Sequence, residues 1–397
     1  MNIVVIGGGL AAANAVAELR DRGYTGDLAL VGAEPHLPYE RPPLSKGLLL
    51  GSDEPDSVFV HDRAWYDEHQ VSLRLGTRVT GLDRDRQRVQ LGSEELPYDR
   101  LILATGSTPR RLPALEAGSV PVRYLRTLDD SLALKKELAG HVLLVGAGWI
   151  GLEIAAAVRQ AGGEVTIAET AAWPLLGVLG PELAPLFADL HRSHGVDLRL
   201  STSVERVEGA EVLLSDGTRV RPDLIVAGIG AVPDDGLATN SGLATDNGIL
   251  VDARLASADP AVFAAGDVAN HDHPSLGRIR VEHWDNAIEQ GKHVAGSVLG
   301  DTAPYTRQPY FFSDQYDLGM EYLGHVGRDG YDELIVRGDR ASLTLVALWV
   351  RAGTVIAGLH LNDWDAADSL RLLVGTTPEN LDALRDESVP LPRPEES

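Results

Sequence analysis

Two glycine-rich turns carry the residue types and spacing needed to hold a dinucleotide pyrophosphate: Gly7-Gly8-Gly9-Leu10-Ala11-Ala12 and Gly146-Ala147-Gly148-Trp149-Ile150-Gly151. Glycine lets the backbone turn tightly and come close to phosphate oxygens, and a helix that starts at such a turn offers them unpaired N–H groups. After each turn a second apolar run, Leu28 to Val31 and Val165 to Ala168, leads to an acid, Glu34 and Glu169, able to accept from ribose hydroxyls. The first copy has Gly7, Gly9 and Ala12 at its three key positions, and the second keeps glycine at all three, including Gly148 and Gly151. A single glycine turn also occurs in proteins that bind no nucleotide. Two in one chain, each with its acid, point to two nucleotides in tandem.

The elements that must position these turns are strand–helix–strand units, so the expected fold is α/β, with two tandem Rossmann-like domains. The runs Ile3 to Ile6 and His141 to Val145 are their first strands, and Ala11 to Arg22 and Leu152 to Gln160 their helices. Between Pro38 and Lys46 two prolines fix a rigid passage ahead of a helix near Leu44 to Leu50. Arg41 and Lys46 there are either cationic contacts for a pyrophosphate or flavin ring, or solvated charges. Val71 to Val89 reads as an antiparallel excursion, Tyr98 to Gly106 as a buried strand ending in small residues, and Pro181 to His194 as a helix. The strand Val262 to Ala265 delivers Asp267, an acceptor for the polyol of a flavin or else an N-cap. Trp284 precedes a helix from Ala287 to Leu299 and is placed either beside a ring system or in a core. From about Arg307, alternating runs near Leu334, Leu343 to Val350 and Val355 to Leu361 read as hairpin strands, with helical patterns at Ala366 to Val374 and Glu379 to Arg385 after them. The pairs His271/His273 and His191/His194 have too few neighbouring ligand types for a closed metal site, and no metal is expected.

Composition narrows the chemistry further. The 397 residues carry 35 Lys+Arg against 58 Asp+Glu, a formal charge of −23, which repels nucleic acid and anionic membrane surfaces. Neither is an expected partner. With no cysteine at all, the chain offers no disulfide, no thiolate-held iron–sulfur cluster and no redox-active cysteine pair, so any electron chemistry needs a bound cofactor. The chain starts in its first strand with no secretory segment and no run of membrane-spanning length, and the expected location is cytoplasmic.

Over nearly its whole length the sequence resembles the ferredoxin reductases of oxygenase electron-transfer systems. The carriers are Tyr39-Glu40-Arg41-Pro42-Pro43-Leu44-Ser45-Lys46, Ala104-Thr105-Gly106, Gly148 to Glu153, Phe263 to Asp267, Glu282 to Gln290, and Pro309 to Tyr316. The segments Glu282 to Ala287 and Pro309 to Tyr316 are the most specific to that family. The resemblance implies an FAD domain from residues 1–113 and 244–306, an NAD domain at 114–243, and a C-terminal α/β domain at 307–390 covering the flavin; the tail at 391–397 is expected to be disordered from its proline-rich, acidic composition. By position it implies FAD contacts from Gly7, Gly9, Ala12, Glu34, Arg41, Lys46, Thr105 and Asp267, with Trp284 by the isoalloxazine. NADH contacts would come from Gly148, Ile150, Gly151 and Glu169, and Lys46 and Glu153 would face each other at the nicotinamide–flavin contact. Trp173 and Gly177 stand where relatives commonly have arginine, and Phe312 where they often have tryptophan. The implied activity passes electrons from NADH through FAD, singly, to a [2Fe–2S] ferredoxin that serves an oxygenase, by a monomer or weak homodimer. Arg307 is a candidate for meeting that ferredoxin. An NADH oxidase, or a redox-sensing flavoprotein like the apoptosis-inducing factors, are the alternatives; a disulfide reductase is excluded for want of cysteine.

Overall fold

The structure, a computed structural model, describes residues 1–393. The chain divides into two compact units. The first comprises Met1–Pro42, Pro55–Thr108 and Ala231–Pro309; the second comprises Pro43–Glu54, Pro109–Gly230 and Tyr310 onward.

The first unit is built on a five-stranded sheet in the order Val262–Ala264, Arg100–Leu103, Ile3–Ile6, Leu28–Val31, Val71–Arg74. All its pairings are parallel, with Ile3 beside both Leu28 and Arg100. Central strands of such a sheet are covered on both faces, which is why Ile3 to Ile6 and Leu28 to Val31 are unbroken apolar runs. Each fully buried aliphatic side chain among them contributes about 1.5–3 kcal/mol. Helices Leu10–Asp21 and Trp284–Leu299 pack against each other, backbone to backbone at Gly291, where a Cβ would sit 2.5 Å from the Ala11 carbonyl oxygen.

Two expectations are corrected here. Val71–Arg74 is not part of an antiparallel excursion but the parallel edge strand of the main sheet, with Leu28 beside Val71. Its alternation reflects exposure of one face, which an edge strand shares with antiparallel strands. The antiparallel sheet is confined to Gly81–Asp83, Arg88–Leu91 and Glu94–Pro97. The second correction concerns Trp284, which is the first residue of its helix rather than a residue preceding it. The ring Nδ1 of His283 accepts from the Asp285 N–H at 3.3 Å and caps the helix three residues earlier than the apolar pattern indicates.

The second unit holds another parallel five-stranded sheet, in the order Asp197–Arg199, Glu164–Ala168, His141–Val145, Leu224–Ala227, Val122–Arg123. Helix Trp149–Gln160 follows its central strand. In Leu176–Ser193 the helix is interrupted at Gly180, with φ 72°, and resumes at Pro181, a residue suited to a first helical position. The C-terminal segment is an antiparallel sheet in the order Tyr310–Gln315, Leu318–Gly324, Thr354–Leu361, Thr344–Arg351, Glu333–Asp339. It shares one core with the nucleotide-type sheet: Trp149 meets Phe311 at 5.0 Å, Phe311 stacks on Tyr322, and Tyr322 leans on the fully buried Trp349. At the chain end, Arg337 donates to the Val389 carbonyl at 2.6 Å and Leu391 packs against the core of the C-terminal sheet and helices, so the residues leading into the tail are docked. Residues 394–397 of that tail lie outside the described residues.

Candidate cofactor sites

In the first unit the turn after Ile3–Ile6 is shaped by close backbone approach. Gly7 has φ 133°, and a Cβ there would lie 2.0 Å from the Ala104 carbonyl oxygen, so no other residue fits. Gly9 is the opposite case, since nothing stands within 4 Å of the place a Cβ would occupy. Gly9 is the N-cap of helix Leu10–Asp21, has no side chain to cap it, and no acid lies in the first turn. Open space over uncapped N–H groups fits an anionic pyrophosphate. Ala12 is buried beneath the turn.

The acid after the second strand is held by side chains. The Tyr39 hydroxyl donates to Glu34 Oε2 at 2.5 Å, and the Arg41 guanidinium donates to Glu34 Oε1 at 3.1 Å. Thr105 donates from Oγ1 to the Asp234 carbonyl at 2.6 Å, and the Asp234 N–H donates to the Gly106 carbonyl at 2.9 Å, so two distant chain segments are fastened together beside the sheet end. Asp267 lies inside a short 3-10 turn, Gly266–Val268, rather than at an N-cap. Its loop is fixed from three sides. Ser107 Oγ donates to Asp267 Oδ2 at 2.8 Å, Arg280 donates to the Asp267 carbonyl at 3.0 Å, and the Gly266 N–H donates to the buried Gln290 amide oxygen at 2.9 Å. Trp284 is partly buried at the head of its helix.

In the second unit the same turn is tighter. Gly146 has φ 99°, with the Gly228 carbonyl oxygen 2.5 Å from where a Cβ would be, and a Cβ on Gly151 would meet the Gly146 carbonyl oxygen at 2.4 Å. At Gly148 a Cβ would meet only the Gly228 carbonyl oxygen, at an ordinary 4.0 Å, and the residue is again an N-cap without a side-chain cap. Ile150 is exposed on the first turn of the helix, 44% of its surface open. Here the acid is held chiefly by the backbone: Glu169 Oε2 accepts from the Ala147 N–H at 2.6 Å and Oε1 from the Ala171 N–H at 2.7 Å, with the Thr170 hydroxyl a longer donor to Oε1 at 3.3 Å.

Lys46 and Glu153 come together in this unit, with Nζ 2.8 Å from Oε2. Glu153 is 4% exposed, and such a carboxylate requires full compensation. Ser45 Oγ donates to Oε2 at 2.5 Å and Ser313 Oγ to Oε1 at 2.7 Å. The Lys46 ammonium also lies 5.5 Å from the centre of the Phe312 ring.

Sequence reasoning assigned no role to Tyr39, Ser45, Ser107, Gln290 or Ser313. Their task is to orient other side chains, and no spacing rule reports it. Arg307 is half exposed, and its guanidinium donates two hydrogen bonds to Asp285, at 2.6 and 2.9 Å, which raise its proton affinity further. Among the described residues no group of three or more metal-ligating side chains is placed to hold a metal ion, and no helix is long and apolar enough to cross a membrane.

The pattern of the pyridine nucleotide-disulphide oxidoreductases matches residues 1–291, and that of the reductase C-terminal domain matches residues 310–393. The chain belongs to the pyridine nucleotide-disulphide oxidoreductase family. Members of this family use FAD and NAD(P)H, which suits the two uncapped glycine turns. Within the family, the chain is 36% identical to the putidaredoxin reductase of Pseudomonas putida, over 98% of this chain and 96% of the relative. It is 38% identical to the ferredoxin–NAD(+) reductase component of the anthranilate 1,2-dioxygenase system of Burkholderia cepacia, over 98% of both. A crystal structure of a covalent putidaredoxin reductase–putidaredoxin complex superposes with a TM-score of 0.93, at 36% identity, covering 98% of this chain and 97% of that one.

Proposed function

We propose that the protein is an FAD-dependent NADH:ferredoxin reductase, passing electrons to a small iron–sulfur ferredoxin that serves an oxygenase. The observation that carries this reading is the absence of cysteine from a disulphide-oxidoreductase fold whose two nucleotide turns are both intact. FAD held at the first glycine turn would supply the hydride-accepting and one-electron-donating chemistry that the protein's side chains cannot. A full-length likeness to reductases named for ferredoxins and oxygenase systems supports the choice of acceptor.

The chain's part is binding and orientation. FAD is assigned to Gly7, Gly9, Ala12, Glu34, Arg41, Lys46, Thr105 and Asp267, from residues 1–113 and 244–306, with Trp284 against the ring. NADH is assigned to Gly148, Ile150, Gly151 and Glu169, in residues 114–243. Glu169 selects NADH over NADPH, because a carboxylate fixed to the turn's own N–H accepts from a free 2′-hydroxyl and repels a 2′-phosphate. Lys46 and Glu153 form a fixed ion pair that serves the nicotinamide–flavin contact. Residues 307–390 form the C-terminal domain, the acceptor's cluster is [2Fe–2S], and the protein works in the cytoplasm as a monomer or weak homodimer. The test is steady-state reduction of a purified [2Fe–2S] ferredoxin with NADH and with NADPH. Fast ferredoxin reduction with NADH preferred supports the assignment; turnover that is equally fast with oxygen alone overturns it.

A further inference from the structure

The second unit contains a buried polar chain for which nucleotide binding has no use. It starts at Glu153 Oε1, which accepts from Ser313 Oγ at 2.7 Å. Ser313 Oγ in turn accepts from Gln315 Nε2 at 3.1 Å, Gln315 Oε1 faces His191 Nε2 at 2.9 Å, and the Tyr316 hydroxyl stands 3.4 Å from His191 Nδ1. Ser313, Gln315 and His191 are at most 2% exposed. Burial pushes His191 down to about 4, so at neutral pH its ring is uncharged, with one N–H and one acceptor nitrogen. The network settles the direction. The Gln315 NH2 donates to Ser313, its carbonyl oxygen accepts from His191 Nε2, and His191 Nδ1 accepts from Tyr316. Every donor points at Glu153, whose other oxygen takes Lys46 and Ser45. An amide does not relay protons, so such a chain orients groups and does not conduct.

A second observation concerns Tyr316. Gln315 pairs with Leu318, which leaves Tyr316-Asp317 as a two-residue hairpin loop, and Tyr316 has φ 57°. Asparagine or glycine suits that conformation; a bulky residue there costs on the order of 1 kcal/mol or more. What the strain secures is visible: the Tyr316 ring stacks on His194 at 3.6 Å with 8° between planes, and its hydroxyl reaches His191. Asp314 lies within electrostatic reach of Lys46, Glu153 and Glu321, and burial raises its proton affinity; Arg159 acts on Tyr316.

We propose that Gln315, seated by His191 and Tyr316, is a positioning residue that aims the Ser313 hydroxyl at Glu153 and so holds Lys46 against that carboxylate. Its value to catalysis rests on the place given above to the Lys46–Glu153 pair. The test is the titration of the Glu153 carboxyl carbon by NMR in the FAD-loaded protein, assigned with Glu153→Gln. Gln315→Met removes the donor at nearly constant shape, and Ser313→Ala removes the hydroxyl itself. Ser313→Ala is expected to move the Glu153 titration up by about one pH unit, the effect of losing one hydrogen bond to a carboxylate, and Gln315→Met to move it in the same direction by a smaller amount, because the Ser313 hydroxyl is then loosened rather than lost; Ser313→Thr leaves it in place. In the Ser313→Ala background Gln315→Met is expected to add nothing, because Gln315 acts through Ser313. An unmoved titration in Gln315→Met, or additive shifts, overturns the proposal, and Ser313→Ala keeps it testable if Gln315→Met does not fold. The same proteins are then mixed with NADH, and flavin bleaching is expected to slow about tenfold at unchanged FAD content. A shifted titration with unslowed bleaching upholds the positioning role and removes the pair from the hydride contact.

Discussion

The two glycine turns share a sequence pattern and differ in how they anchor their acid. Glu34 is gripped by the side chains of Tyr39 and Arg41, from a loop beyond the strand, whereas Glu169 is gripped by backbone N–H groups, one of them inside the glycine turn itself. The first turn closes on Ala104, and its third position takes Ala12. The second closes on Gly228, and its third position tolerates only Gly151. A side-chain clamp is adjustable by single substitutions, while a backbone clamp ties the acid's position to the turn. On the proposed assignment, the adjustable site holds the resident flavin and the fixed site reads the coenzyme that comes and goes.

Substitutions can break or sharpen that contrast. The largest effect is expected from Gly7→Ala, because the new Cβ meets backbone 2.0 Å away: the purified protein should be nearly colourless. Gly146→Ala should instead retain FAD and lose reduction by NADH, and visible absorbance per chain separates the two. If Gly146→Ala strips the flavin and Gly7→Ala does not, the assignment is reversed. Next comes Glu169→Arg, which removes two charge-assisted bonds and should lower kcat/KM for NADH about a hundredfold while raising it for NADPH. Glu34→Gln should weaken FAD binding about tenfold, read by dilution-dependent loss of flavin, and leave the KM for NADH unchanged. The smallest effect belongs to Tyr39→Phe, which deletes one donor to Glu34 and should cost FAD binding about 1 kcal/mol, or a few-fold in affinity.

Both nucleotide units were legible because their signals are local: an unbroken apolar run, glycines at fixed offsets and an acid after the next strand all lie within a short stretch of chain. Val71–Arg74 was misread because its alternation reports one exposed face, and an edge strand of a parallel sheet exposes one face as well. The early start of the helix at Trp284 was hidden because its cap is a histidine ring, outside the usual cap residues. The Arg307–Asp285 pair was not legible because the sequence does not reveal which side chains lie together in space. The Lys46–Glu153 pair joins residues more than a hundred positions apart, and only family resemblance suggested it. The chain from Ser313 to Tyr316 was invisible for the same reason: its polar residues sit on a strand and a helix that meet only in the folded unit.

The most direct measurement of the central claim is an anaerobic titration of the purified protein with NADH, followed by addition of oxidised ferredoxin. With no cysteine pair to store electrons, the flavin band should bleach at one NADH per flavin and return fully when ferredoxin is added. Uptake of a second NADH per flavin, or a bleached band that ferredoxin does not restore, would contradict it.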